Sequence, residues 1–143
     1  YVPRCGEKAY IFGKMAACCI SGGALLTAAG WIYKRVYGER ADTLDLSLLF
    51  FSGMLWALCA ATLAAASKSR YVAYGGAFVL FYLLVILKER YFVDFYCMDP
   101  VEWLMPEHTW VFDHGGILLL CGGLIILLAM IYYEILWRCI ERV

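Results

Sequence analysis

Four apolar stretches dominate this chain of 143 residues. They cover residues 13–33, 46–66, 71–87 and 116–137. Each is close to the roughly 20 residues that a helix needs to cross a bilayer core about 30 Å thick. A segment in hydrocarbon must satisfy its own backbone hydrogen bonds, which favours helices. The sequence therefore predicts an all-α integral membrane protein: one domain of four transmembrane helices, with an aromatic loop between the third and the fourth.

The balance of residue types agrees with this prediction. Hydrophobic residues make up 64% of the chain and charged residues only 17%, which is too apolar for a soluble domain with an ordinary polar surface. The 12 basic residues equal the 12 acidic ones, so the chain has no strong net field to attract nucleic acid. The expected partners are other membrane subunits and lipid.

The distribution of basic residues predicts the orientation. With four crossings, one side of the membrane would carry Arg4, Lys8, Lys14, Lys68, Arg70, Arg138 and Arg142. The other side would carry Lys34, Arg35, Arg40, Lys88 and Arg90. Lys and Arg are enriched on the inner side of membranes, so the larger group favours both termini inside, facing the matrix or the cytoplasm.

Cysteine placement and the absence of a glycosylation acceptor bear on the compartment. Cys97 stands alone in the predicted outer segments, whereas a disulfide-stapled loop of a cell-surface protein needs a pair. The sequence contains no Asn, hence no N-linked acceptor. It begins with Tyr1, which fits either a cleaved organellar presequence or a part of a longer chain. These features together favour the mitochondrial inner membrane.

Small residues spaced by four predict where the first two helices pack. The first helix carries Gly13, Ala17 and Ser21, and the second carries Gly53, Ala57, Ala61 and Ala65. Helices in lipid associate where small side chains let their backbones approach. Gly-Gly pairs also recur, at residues 22–23 and 75–76 among others, and we interpret them as close packing rather than an internal duplication.

The segment of residues 88–115 is the richest in aromatic side chains outside the predicted spans. Rings at this density belong at the headgroup level or against another protein, so we expect Tyr91, Phe95, Trp103 and Trp110 to anchor a partner or the membrane surface. Asp99 and Pro100 form a good helix start and Pro106 a stop. They predict a short helix over residues 100–105.

The ionisable residues give little indication of a catalytic or cofactor-binding site. Cys97, His108, Asp113 and His114 could in principle gather a metal, and His108 or His114 could ligate haem iron, but their spacing does not support either site. Two other charged residues lie near the inner boundary, where Lys14 can reach the headgroups and Glu134 can pair with Arg138. No nucleotide-binding or hydrolase motif occurs. We expect no catalytic residue, no cofactor and no metal.

Three classes of function remain open. The first is a non-catalytic accessory or structural subunit of a multi-subunit membrane complex, of the respiratory chain or ATP synthase type. The second is a small oligomeric transporter, channel or assembly factor, in which several copies supply the polar pore residues. The third is a haem- or quinone-binding membrane anchor. The first is favoured by small size, the small-residue stripes and an aromatic loop suited to a partner.

Overall fold

The computed structural model describes residues 6–38, 42–106, 109–110, 112 and 114–140. Over these residues the chain is helical, with four long helices: α1 (Glu7–Val36), α2 (Thr43–Ser67), α3 (Arg70–Tyr91) and α4 (His114–Ile140). A short 3-10 helix, Tyr96–Met98, lies between α3 and α4. The helices extend beyond the predicted apolar spans, because a helix that crosses the hydrocarbon core continues into the headgroup region.

Three of these helices, α1, α2 and α4, are long and apolar enough to cross a membrane. They are the helices of a membrane protein. The sequence predicted four crossings, and over the described residues α3 is not among the helices that meet this test. Only three of the four expected crossings are therefore supported, although α3 itself is formed where the third apolar stretch lies.

The connections between the helices follow local backbone rules. Gly38 takes a positive φ of 73° just after α1, a conformation that costs glycine little and commonly ends a helix. Lys34 in the last turn of α1 forms an ion pair with Asp45 in the first turn of α2. Each charge lies at the helix end whose dipole it complements. Lys68, with φ 54°, makes the tight link from α2 to α3.

Helix α2 is the centre of the fold, because α1, α3 and α4 all pack against it. Among the described helices, α3 packs against α2 and the 3-10 helix and not against α1 or α4. One buried cluster joins Cys19 of α1, Leu58 of α2 and Tyr132 of α4. A second cluster, joining α2 and α4, includes residues of the segment that connects α3 to α4.

Candidate functional site

The segment after α3 does not lie over the ends of the helices but enters the space between them. We call residues 96–105 the inserted segment. The Ser52 hydroxyl in α2 donates a hydrogen bond of 3.3 Å to the Trp103 carbonyl. Ser52 lies roughly 14 Å along α2 from Thr43, at 1.5 Å per residue. The inserted segment therefore reaches well below the start of α2.

The indole of Trp103 is held on both sides. Its Nε1 donates to the Cys97 carbonyl at 3.0 Å, and its ring stacks on Trp56 of α2 with centroids 6.4 Å apart. Trp110 packs edge-on against Tyr96 at 5.4 Å. Trp103 and Trp110 belong to one buried cluster together with Leu48, Leu55, Ile117 and Cys121. Rings of this size dominate the energetics of the core that buries them.

This burial corrects the expectation that Trp103 and Trp110 anchor a partner. Only 6% of Trp103 and 9% of Trp110 is exposed, so neither ring is available to another chain. The rings are covered by side chains of the protein's own α2 and α4, with which they form one buried cluster. The other two predicted anchors do lie outside: Tyr91 is 76% exposed and Phe95 62%.

The short helix predicted over residues 100–105 does not form, and a turn stands in its place. Asp99 does cap the turn, since its Oδ1 accepts a 3.0 Å hydrogen bond from the Val101 N–H. The N–H groups of Leu104 and Met105 both donate to the Val101 carbonyl. A single helical turn fixes many dihedral angles for few hydrogen bonds, and Pro106 leaves no room to extend it. Burial of Trp103 then decides the local conformation.

An ion pair fixes the inserted segment to α3. Lys88 Nζ lies 2.8 Å from Asp99 Oδ2. The hydrogen bond to Asp99 raises the pKa of Lys88 above its ordinary value of 10.5, although burial opposes the rise. Glu102, also buried, adds to the attraction on the lysine. The carboxylates of the segment are thus held beside a cation, as buried charges require.

Of the four candidate metal or haem ligands in the sequence, the structure describes Cys97 and His114. His114 is half-buried as the first residue of α4, where it interacts with its surroundings. His108 and Asp113 lie outside the described residues. Among the residues described, no group of three or more His, Cys, Asp or Glu side chains could hold a metal ion. The prediction that neither histidine binds a cofactor remains a prediction.

The contact between α1 and α2 uses only part of the predicted small-residue stripes. A Cβ built on Gly53 would lie 2.5 Å from the Gly22 carbonyl oxygen, so the two backbones are in direct contact. Next to them, the Cys18 thiol donates to the Ala57 carbonyl at 3.4 Å. Ala61 and Ala65 pack beside the buried cluster around Leu58.

On α1 the packing face is not the predicted one. Gly13, Ala17 and Ser21 are exposed on the surface of the described chain. Gly22 and Gly23 make the contact instead, and the Gly-Gly pair was their only signal in the sequence. Consecutive helical residues point about 100° apart, so one step along the sequence moves a side chain onto another face. Spacing by four defines a stripe without telling which stripe meets α2.

Open apolar clefts flank α3 on both sides. One, of about 560 Å³, lies between α1, α2 and α3 and is lined by Leu25, Trp56 and Phe81. The other, of about 410 Å³, lies between α2, α3 and α4 and is lined by Leu84, Trp103 and Leu124. The clefts are open because α3 packs on α2 and not on α1 or α4.

Comparison of the chain with known protein families, with curated proteins and with solved structures gives no match.

Proposed function

We propose that this protein is a non-catalytic subunit of a multi-subunit membrane complex, with other membrane subunits and lipid as its neighbours. One observation carries the proposal. The polar groups of the inserted segment fasten it in place: Asp99 pairs with Lys88, and the carbonyls of Cys97 and Trp103 are hydrogen-bonded within the chain. Such a segment stabilises a fold rather than presenting a reactive group.

The apolar surface outside the bundle supports the same proposal. Large hydrophobic side chains are exposed along α1, α3 and α4, among them Leu25, Phe78 and Leu119. In a bilayer these side chains meet lipid tails or helices of other subunits. Lipid chains would also fill the open clefts beside α3, since water gains nothing in a cleft lined by Leu, Phe and Trp.

As part of this proposal, α3 forms the fourth crossing. No charged residue occurs over residues 71–87. Tyr71 and Tyr74 at one end and Tyr91 at the other are exposed. The uncharged residues 71–87 extend roughly 25 Å along the helix, close to the thickness of a bilayer core, and Tyr91 lies one turn beyond them. Tyrosines at both ends of a span are typical of the two membrane interfaces. The termini would then share the inner side.

Reporter fusions test the fourth crossing. A topology reporter placed after residue 67 should report the side of the termini, and one after residue 95 should report the opposite side. The reporter at the C-terminus should agree with the first. If the reporters after residues 67 and 95 lie on the same side, α3 does not cross and the termini face opposite compartments.

We place the protein in the mitochondrial inner membrane within the same proposal. Cys97 is a free thiol, and the sequence has no N-linked glycosylation acceptor. Both features fit a membrane whose proteins meet neither the disulfide-forming nor the glycosylating machinery of secretion. Fractionation of cells with a tagged chain, compared with inner-membrane and plasma-membrane markers, tests the location.

Purification from native membranes in mild detergent tests the subunit function. We expect the chain to migrate with a fixed set of other membrane polypeptides in constant ratio, as determined by mass spectrometry of the intact complex. A chain that purifies alone or only with its own copies would contradict the proposal and favour an oligomeric transporter or channel. An absorbance spectrum of the same sample tests for haem.

A further inference from the structure

Helix α3 is attached to the fold less firmly than the other three long helices. Among the α3 side chains that the structure describes, none is buried and none belongs to either buried cluster. In contrast, α1, α2 and α4 meet in the cluster around Leu58. Open clefts lie between α3 and α1 and between α3 and α4. Elements with few buried contacts open at the lowest free energy, so α3 is the helix expected to separate first.

The contacts that hold α3 lie at three levels along it. In its second turn Gly76 lies close to a leucine side chain of α2, 3.2 Å from where its Cβ would stand. At the middle, Phe81 packs edge-on against Trp56 with ring centroids 5.2 Å apart. In the last turn Lys88 forms the ion pair with the inserted segment. The first two contacts are apolar packing on α2, whereas the position of the last turns depends on the ion pair.

Asp99 is a firm attachment point for this lysine. One carboxylate oxygen, Oδ1, accepts a hydrogen bond from the Val101 N–H, and the other, Oδ2, lies 2.8 Å from Lys88 Nζ. The inserted segment is itself fixed to α2 through Trp103. The carboxylate is therefore held in place from the side of α2, and the lysine is the partner that leaves when α3 moves.

The connection at the other end of α3 allows such a movement. Lys68 has a φ of 54° and Ser69 is extended, so a two-residue turn joins α2 to α3 in place of a continuous helix. Residues at the ends of helices commonly absorb the φ and ψ changes of a hinge.

We infer that α3 separates from the bundle as a unit by turning about Lys68 and Ser69, and that the Lys88–Asp99 pair is the latch that keeps its last turns in place. Release of the latch moves the end of α3 away from α2 and widens the clefts on both sides. The latch operates within one chain, whether or not that chain is assembled with other subunits.

Distances between spin labels on α3 and α4 test the latch. Labels carried by unnatural amino acids are placed at the exposed positions 86 and 126 of the full chain in lipid nanodiscs. Lys88→Gln removes the charge and keeps a side chain of similar reach. We expect it to increase the fraction of molecules with long distances roughly two- to fivefold, the effect of a partly exposed ion pair. Asp99→Asn, which keeps an acceptor for the Val101 N–H, should act in the same way, and Lys88→Arg should retain the wild-type distances.

Lys34→Gln is the matched control, because it breaks the ion pair with Asp45 that joins α1 to α2. The backbones of these two helices touch at Gly22 and Gly53, so distances between labels at positions 20 and 126 should stay the same. Unchanged distances between positions 86 and 126 in Lys88→Gln would overturn the latch. Equal broadening of both label pairs in that variant would overturn the separate movement of α3, because the whole bundle would then have loosened.

Discussion

The two sides of α2 hold their neighbours by opposite means. Towards α1 it presents Gly53, and the α1 backbone at Gly22 lies against it with no side chain between. Near the crevice with α4 it receives Trp103, whose indole stacks on Trp56 and whose backbone carbonyl accepts a hydrogen bond from the Ser52 hydroxyl. The contact with α1 requires that α2 has no side chain at Gly53, whereas the contact near α4 requires the large side chain of Trp103.

The difference shows how a small membrane protein can be packed without a hydrophobic drive between its helices. Where two helices cross closely, glycine allows many weak backbone contacts. Where they leave a crevice, a non-helical segment can enter only if its backbone groups find partners there. Ser52, the Asp99 carboxylate and the Trp103 indole provide those partners here. Helix α2 thus packs by both kinds of contact.

Removal of the inserted indole should have the largest effect. Trp103→Ala deletes a buried ring and leaves the Cys97 carbonyl without its donor, so we expect the free energy of unfolding to fall by about 3–5 kcal/mol. Equilibrium unfolding in mixed micelles measures it. Trp31→Ala is the control, because Trp31 is half exposed on α1. Equal losses in the two variants would show that the inserted segment is not part of the core.

A large side chain at the contact between Gly53 and Gly22 should lower the free energy of unfolding by somewhat less. Gly53→Leu forces a side chain into the Gly22 backbone, and overpacking of this kind destabilises by about 1–3 kcal/mol. Gly13→Leu, where a Cβ meets open space, should change stability by less than about 0.5 kcal/mol. The same unfolding assay compares them. A neutral Gly53→Leu variant would mean that α1 and α2 do not touch at this point.

Loss of the hydrogen bond from Ser52 to the Trp103 carbonyl should have the smallest effect. Ser52→Ala leaves the buried Trp103 carbonyl without its donor and should cost about 1 kcal/mol. Ser67→Ala removes a hydroxyl that donates back to Leu63 of its own helix and accepts from the Ser69 N–H, both on an exposed surface, and should be close to neutral. If Ser52→Ala is as mild as Ser67→Ala, the Ser52 hydrogen bond does not help to hold the inserted segment.

The sequence alone determined the helices. Apolar stretches of about 20 residues predict them because a chain in hydrocarbon has no other local way to satisfy its backbone. It also placed Gly53 and Ala57 among the packing residues, and the structure finds both at the contact with α1. The cap at Asp99 followed from residue type, since an aspartate accepts a backbone hydrogen bond wherever the chain turns.

Only the tertiary structure decided which surfaces meet. Trp103 and Tyr82 are both large aromatic residues, yet the first is buried and the second is exposed, because the crevice between α2 and α4 exists only after those helices have packed. For the same reason Gly22, and not Gly13, meets α2. Periodicity describes the faces of one helix, whereas the choice among faces is made by the shape of its neighbours.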